Sequence, residues 1–356
     1  MTGETNMRRE IGEQPAVLAR TLAELAAPAR AAADTVVARR IRTMVTCGRG
    51  SSDGVGRYAG YILSIHAGLL VADATPSIVT TYGIVPAFPD AALLAISQSG
   101  AGEDVRAVAL AARSVGAPVI AVTNVAGSPL AQVADHLLVT PAGPERSVPA
   151  TKTFTSALAT VALLGHALAG GDRGVGLDAV DLAGLPGAVQ RVLSLEPDLA
   201  RLGERLRGHD RCVVLGRGYN RATATEIALK IQETSYLSAQ DYGAADFLHG
   251  PLAVVQPGLH VLVIVAPGPT AATILEVAGR ARSLGASVTA ISDGPVDRAA
   301  IDAIADAHVH LDSGLPEPLT PIGFAVAGQL VALHLALAEG RSPDVPRALT
   351  KVTVTR

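Results

Sequence analysis

The chain of 356 residues has no tryptophan, only four phenylalanines and only six tyrosines. So few rings cannot build the base-stacking platforms of a single-strand binder or the aromatic shelves of a polysaccharide binder. An excess of either charge is also missing. With 29 Lys plus Arg against 32 Asp plus Glu, a net charge of −3 and no basic block, the electrostatic footprint of a nucleic-acid binder is absent. The two cysteines, Cys47 and Cys212, lie in or beside short apolar runs and lack the spacing of a disulfide framework or a zinc site, which fits a reducing compartment. The longest apolar runs, such as residues 161 to 168, are too short to span a bilayer, and the opening MTGETNMRREIGEQ lacks the apolar stretch of a signal peptide. A cytoplasmic protein with neither nucleic acid nor membrane as partner is expected.

What the chain does contain is apolar residues (49%), few charges (17%), 36 glycines and 22 prolines, the profile of a compact α/β protein long enough for two domains. Short apolar runs (MVTC, LLAIS, VIAVTN and LLVT, then CVVLG, VLVIVAP, VTAIS and VHLD) alternate with longer helix-like segments. Strands that are apolar throughout predict parallel sheets covered by helices on both faces.

The two sets of runs also match each other. Gly48-Arg49-Gly50 recurs 168 residues on as Gly216-Arg217-Gly218, LLAI at 93 to 96 lies opposite VLVI at 261 to 264, and ARSVGA at 112 to 117 lies opposite ARSLGA at 281 to 286. The expected architecture is two tandem doubly wound α/β domains, 41–170 and 205–330, arising by internal duplication. A helical arm (1–40) precedes them, a linker with a helix (171–204) joins them, and a C-terminal helix end and tail (331–356) follow. The copies differ after one strand: the first reads Ser97-Gln98-Ser99-Gly100, the second Val265-Ala266-Pro267-Gly268. Only the first keeps hydroxyls, and ligands of open parallel sheets bind beyond the carboxyl ends of strands.

Two hydroxyl loops of the first copy, Gly48-Arg49-Gly50-Ser51-Ser52 and the SQSG loop, therefore form a candidate phosphate cradle at helix starts. Capping alone would explain Ser99, and Glu103 and Asp104 would repel phosphate unless they face away. Neither loop is a P-loop or a dinucleotide fingerprint. Lysine is scarce: Lys152, Lys230 and Lys351 are the only ones, and every other basic residue is arginine. Such usage keeps lysine where an amine is wanted. Glu226, Lys230 and Glu233 share one face of the helical stretch ATATEIALKIQETSYL, whose other residues are mostly small or apolar. Among nine histidines, His249 stands apart in a Gly-Pro-bounded loop where an imidazole can reach a ligand.

Taken together, the paired α/β copies, SQSG, ATKTFT at 150 to 155, EIALKIQETSY, the HGP loop and the terminal PRALTKVTVT resemble the sugar isomerase (SIS) domain pair of the glucosamine-6-phosphate synthase family. MRREIGEQP, residues 7 to 15, looks like the helix that precedes that pair. The resemblance implies that Glu233 moves a proton between sugar carbons 1 and 2 and that His249 opens the ring. It implies that Lys351 is a tail lysine able to form an imine, that Lys230 lies near the reacting carbons and that Arg347 positions them. Ser97, Gln98 and Ser99 match the phosphate loop, and Val148 the position whose backbone faces the sugar. Gly102 stands where the synthase has threonine, and GRGSSD replaces its Gly-Thr-Ser form, so Arg49, Ser51 or Ser52 would supply a replacement contact.

No glutaminase segment is read in the chain, which looks instead like stand-alone SIS deaminases with an RGSSD loop. The expected function is therefore cofactor-independent conversion of glucosamine 6-phosphate to fructose 6-phosphate and ammonia. A fructosamine-6-phosphate deglycase, an ammonia-dependent synthase and a non-catalytic sugar-phosphate sensor are the alternatives. A small sugar phosphate is the expected partner, and the resemblance implies a homodimer with shared active sites.

Overall fold

The computed structural model describes residues 5–170 and 177–351. Its contacts divide the chain into two units. The first comprises Ala16–Glu145, Lys152–Ala183 and the tail from Leu349. The second comprises the arm up to Pro15, Arg146–Thr151 and Gly184–Ala348.

The first unit is built on five parallel strands, β1 (Thr43–Cys47), β2 (Leu70–Asp73), β3 (Ala91–Ile96), β4 (Val119–Thr123) and β5 (His136–Val139), in the order β2-β1-β3-β4-β5. The second repeats that order with β6 (Arg211–Gly216), β7 (Ser238–Gly243), β8 (His260–Val265), β9 (Ser287–Ser292) and β10 (Ala307–His310). Matching orders carry the duplication read from the sequence. The central strands β3 and β8 are buried at every position, which is why their residues are apolar without alternation, apart from His260 at the start of β8, whose Nε2 shares a hydrogen bond with the Thr289 hydroxyl at 2.9 Å.

The repeated Gly-x-Gly has one physical cause in both copies. At Gly48 an added Cβ would stand 2.7 Å from the Ser52 backbone, and at Gly216 it would stand 2.2 Å from the Asn220 oxygen, because each strand turns at once into a helix start. Two residues later, Gly50 and Gly218 hold φ of 55° and 61°, a region costly for a side chain.

The linker carries three helices, Ala179–Ala183, Leu185–Ser194 and Glu196–Arg205; its Gly-rich beginning, 171–176, lies outside the described residues, as do 1–4 and 352–356. The helix Thr320–Ala338 is long and apolar enough to cross a membrane by composition, yet nearly all of it is buried inside the second unit. Its Gly328 receives Ile227: an added Cβ would stand 2.2 Å from Ile227 Cγ1. Through that contact, and through the Thr234 hydroxyl donating to the Ala332 carbonyl at 3.2 Å, the core helix fixes the helix Arg221–Ser235.

Candidate functional site

In the first unit β1 and β3 lie side by side, but the chain leaves them toward opposite edges, which opens a crevice beyond their carboxyl ends. The pairing of Cys47 with Ala95 sets the loop at 48–50 beside the SQSG loop. Each loop feeds a helix, Ser51–Ala67 or Glu103–Ser114, whose N-cap is a glycine, Gly50 or Gly102, with no side-chain cap. Helix starts leave backbone N–H groups and the positive end of the dipole for an anion, although in the first of these helices the Ser52 and Asp53 N–H groups already donate to the Arg49 and Gly50 carbonyls, both at 3.0 Å. Within SQSG, Ser97 Oγ accepts the Gly100 N–H at 3.1 Å and Ser99 Oγ accepts the Ala101 N–H at 3.2 Å, so each hydroxyl is oriented yet still has an O–H to donate. Gly100 has φ 61°, and an added Cβ there would stand 2.1 Å from Ser128 Oγ; the tight loop admits no side chain.

Of the two acids in the first turn, Asp104 has its charge already engaged. Arg49 Nε donates to Asp104 Oδ2 at 2.6 Å, and Asp104 Oδ1 accepts the Val105 N–H at 2.8 Å, while Asp104 is 3% exposed. The bond to Asp104 pushes the Arg49 guanidinium above its ordinary pKa and ties the two loops together. Ser51 and Ser52 open the neighbouring helix, half-buried. Burial pushes the Cys47 thiol up to about 12, so it stays protonated and is no nucleophile.

The same unit holds Lys351. Its Nζ donates to Glu145 Oε2 at 2.6 Å, and the Glu145 side chain, fully buried, also accepts from the Thr153 N–H at 3.1 Å and the Thr153 hydroxyl at 2.7 Å. Glu145 thereby serves the start of the helix Lys152–Leu168 and the tail at once.

The second unit carries Lys230, Glu233, Val148, His249 and Arg347. On the helix Arg221–Ser235, Lys230 Nζ lies 3.4 Å from Glu226 Oε1 and 2.5 Å from Glu233 Oε2. The Lys230 and Glu226 side chains are each 1% exposed, while that of Glu233 is 18% exposed, so of the three it alone meets solvent appreciably. A carboxylate with a fixed ammonium behind it and an open face in front can trade a proton with a ligand. Lys152 is also buried, at 3%, so none of the three lysines is an idle surface charge.

Val148 is held from both chain ends. Its N–H donates to the Asp344 carbonyl at 2.9 Å, and the buried Glu10 carboxylate accepts from the Ser147 N–H at 3.2 Å and its hydroxyl at 2.6 Å. The Asp344 carboxylate in turn accepts the N–H groups of Asn6 and Met7, both at 2.8 Å, at the start of the helix Asn6–Gly12. His249 follows the short helix Ala244–Leu248; its backbone N–H donates to the Asp246 carbonyl at 3.0 Å and its side chain is exposed. Arg347 is exposed and lies against Tyr236.

The second copy's own crevice has a different lining. There Gly268 faces the Glu317 carboxylate, 2.3 Å from where a Cβ would stand, and burial raises the Glu317 pKa. Apart from Thr270, which stands beside Gly218, the hydroxyls give way to apolar residues and an acid, a poor seat for phosphate. Glu10, Glu145 and Tyr236 escaped sequence reasoning. For the two acids no local signal was available, since their partners lie far away in the sequence.

The model of the SIS domain matches residues 39–167 and 205–338. The chain belongs to the SIS domain family. Among its relatives, a glutamine-fructose-6-phosphate aminotransferase (isomerizing) of Halobacterium salinarum is 38% identical over 329 residues, which cover 87% of this chain and 51% of that protein. The chain thus spans about half the length of that relative. Among solved structures, a candidate phosphosugar isomerase from Silicibacter pomeroyi DSS-3 is 34% identical with a TM-score of 0.86, covering 96% of this chain and 100% of that one. A glucosamine-6-phosphate deaminase from Thermotoga maritima, 21% identical, shares the SIS fold with a TM-score of 0.75, covering 99% and 100%.

Proposed function

We propose that this SIS protein is an amino-sugar phosphate deaminase and isomerase that converts glucosamine 6-phosphate and water to fructose 6-phosphate and ammonia. The observation that carries the reading is Glu233, a partly exposed carboxylate set 2.5 Å from a buried ammonium. In this reading His249 shuttles the proton that opens the sugar ring. Glu233 takes the C2 proton of the open aldose while O1 gains a proton, giving an enolamine, and returns it to C1 while the nitrogen gives one up, giving the 2-imine of the ketose. Water adds to that imine and ammonia leaves. Lys230 holds Glu233 in place, the Lys351 amine handles the group at C2, Arg347 positions the reacting carbons and the Val148 backbone contacts the sugar. Ser97, Gln98 and Ser99, with Arg49, Ser51 and Ser52, anchor the phosphate. The name of the Halobacterium relative, which gives fructose 6-phosphate as a substrate, supports a hexose 6-phosphate on the product side of this reaction.

The deciding measurement is ammonia release from a panel of amino-sugar phosphates. Release from glucosamine 6-phosphate supports the reading; release only from fructosamine 6-phosphates would make it a deglycase, and none at all, with binding retained, a sensor. Replacing Ser97 and Ser99 together by alanine should weaken binding of the 6-phosphate by about a hundredfold or more, the worth of two hydrogen bonds to a charged group, while leaving the unphosphorylated sugar unaffected. Calorimetry that finds both sugars weakened alike would remove the phosphate from this loop.

The reading includes a homodimer in which His249 serves the partner's sugar. Inactive His249→Ala and inactive Glu233→Gln chains, mixed under conditions of verified subunit exchange, should then regain activity. Persistent inactivity would confine His249 to its own chain.

A further inference from the structure

The helix Arg221–Ser235 ends on Tyr236, whose φ of 62° lies in the left-handed region that favours glycine. The cap itself needs only the backbone: the Tyr236 N–H donates to the Gln232 carbonyl at 3.1 Å. Glycine or asparagine would serve there without strain, so the ring must be kept for what it touches. The guanidinium carbons of Arg341 and Arg347 lie 4.5 and 4.4 Å from the ring centroid, and the phenol oxygen accepts the Arg347 backbone N–H at 2.9 Å. These residues and Asp344, which fixes Val148, all belong to the second unit. Tyr236 also stands three residues after Glu233, so one side chain both ends the helix of the proposed base and grips the segment that carries Arg347.

We propose that Tyr236 is a positioning residue that docks the tail arginine Arg347, holding the tail against the end of the helix that carries Glu233. Its catalytic consequence rests on the function proposed above; the docking itself does not. A structural cap and a dock differ in what they protect. If the ring only stabilised the helix end, losing it would loosen the whole unit. As a dock, it shields the Arg347–Ala348 bond in particular.

The test uses the full chain under native trypsin digestion, with cut sites identified by mass spectrometry. Tyr236→Gly, which keeps the backbone cap, should speed cutting after Arg347 by about tenfold or more, the combined worth of two cation–π contacts and a hydrogen bond. Cutting after Arg298 should stay unchanged. Tyr236→Phe, which keeps the ring, should retain most of the protection and most of the turnover. If Tyr236→Gly does not fold, Tyr236→Asn removes the ring while still tolerating the left-handed conformation, and the same outcome is expected. Unchanged cutting after Arg347 in the folded ringless variant, or equal acceleration at Arg298, overturns the proposal. Faster cutting after Arg347 in a protein that turns over no sugar phosphate would uphold the dock and count against the proposed activity instead.

Discussion

Glu233→Gln is expected to fold like the native chain, to bind glucosamine 6-phosphate with unchanged affinity, and to lose at least about two orders of magnitude in turnover, the usual worth of a positioned general base. The geometry makes the substitution clean. Glutamine keeps the volume, and its carbonyl oxygen can still accept from Lys230 Nζ, now 2.5 Å from the carboxylate. Lys230 also keeps Glu226, 3.4 Å away, so the buried ammonium is not stranded. What glutamine cannot do is take up the C2 proton. The loss should therefore fall on kcat, with KM nearly constant. Incorporation of solvent deuterium at C1 or C2 should disappear with it. Turnover within threefold of the native value would exclude Glu233 as the base.

Much of the frame was legible because it obeys local rules. Apolar runs marked β1, β3, β4 and β5 and their counterparts β6, β8, β9 and β10: the inner strands are buried almost throughout, with a few enclosed polar residues such as Thr46, Thr123, Thr289 and Ser292, while β5 and β10, half-buried at the edges, still keep short apolar runs. The edge strands β2 and β7 escaped. Leu70–Asp73 is largely exposed, and Ser238–Gly243 mixes buried Ala239 with exposed and half-buried polar residues, so neither presents an uninterrupted apolar run. The first-copy loops were legible for a different reason: where duplicated halves diverge from Val-Ala-Pro-Gly to Ser-Gln-Ser-Gly, the difference itself points to a ligand.

The residues that escaped share one property, a partner far away in the sequence. Glu145 meets Lys351 across 206 positions and Glu10 meets Ser147 across 137. Nothing local marks such carboxylates, since spacing rules describe neighbours on one helix or strand. Asp104 shows the opposite limit. Read locally it is an acid beside a phosphate loop, and only its bond to Arg49, 55 residues back, shows that its charge is already engaged. The charged helix face was visible as a pattern, but whether it faced water or the interior was decided by Gly328, which lets Ile227 seat the helix against the apolar core helix.

That burial gives Lys230→Met the largest expected effect on stability, a loss of about 3–5 kcal/mol, the cost of breaking a buried charge pair by removing one partner. The ammonium is 1% exposed and lies within 3.4 Å of both carboxylates, and Glu226 beside it is equally buried. Methionine fills the stem but supplies neither charge nor donors, so Glu226 would keep its desolvation without its cation. Glu233, 18% exposed, can still reach water and suffers less. The asymmetry predicts which second substitution rescues the fold. Glu226→Leu added to Lys230→Met should recover most of the lost stability, because replacing a buried pair as a whole by apolar side chains is often neutral. Glu233→Leu added to Lys230→Met should recover little. Urea unfolding of the native chain, of these three variants and of Glu226→Leu and Glu233→Leu alone closes the two cycles that separate these terms. A Lys230→Met chain within about 1 kcal/mol of the native one, the worth of a surface ion pair, would mean that this ammonium does not hold the buried carboxylates in solution.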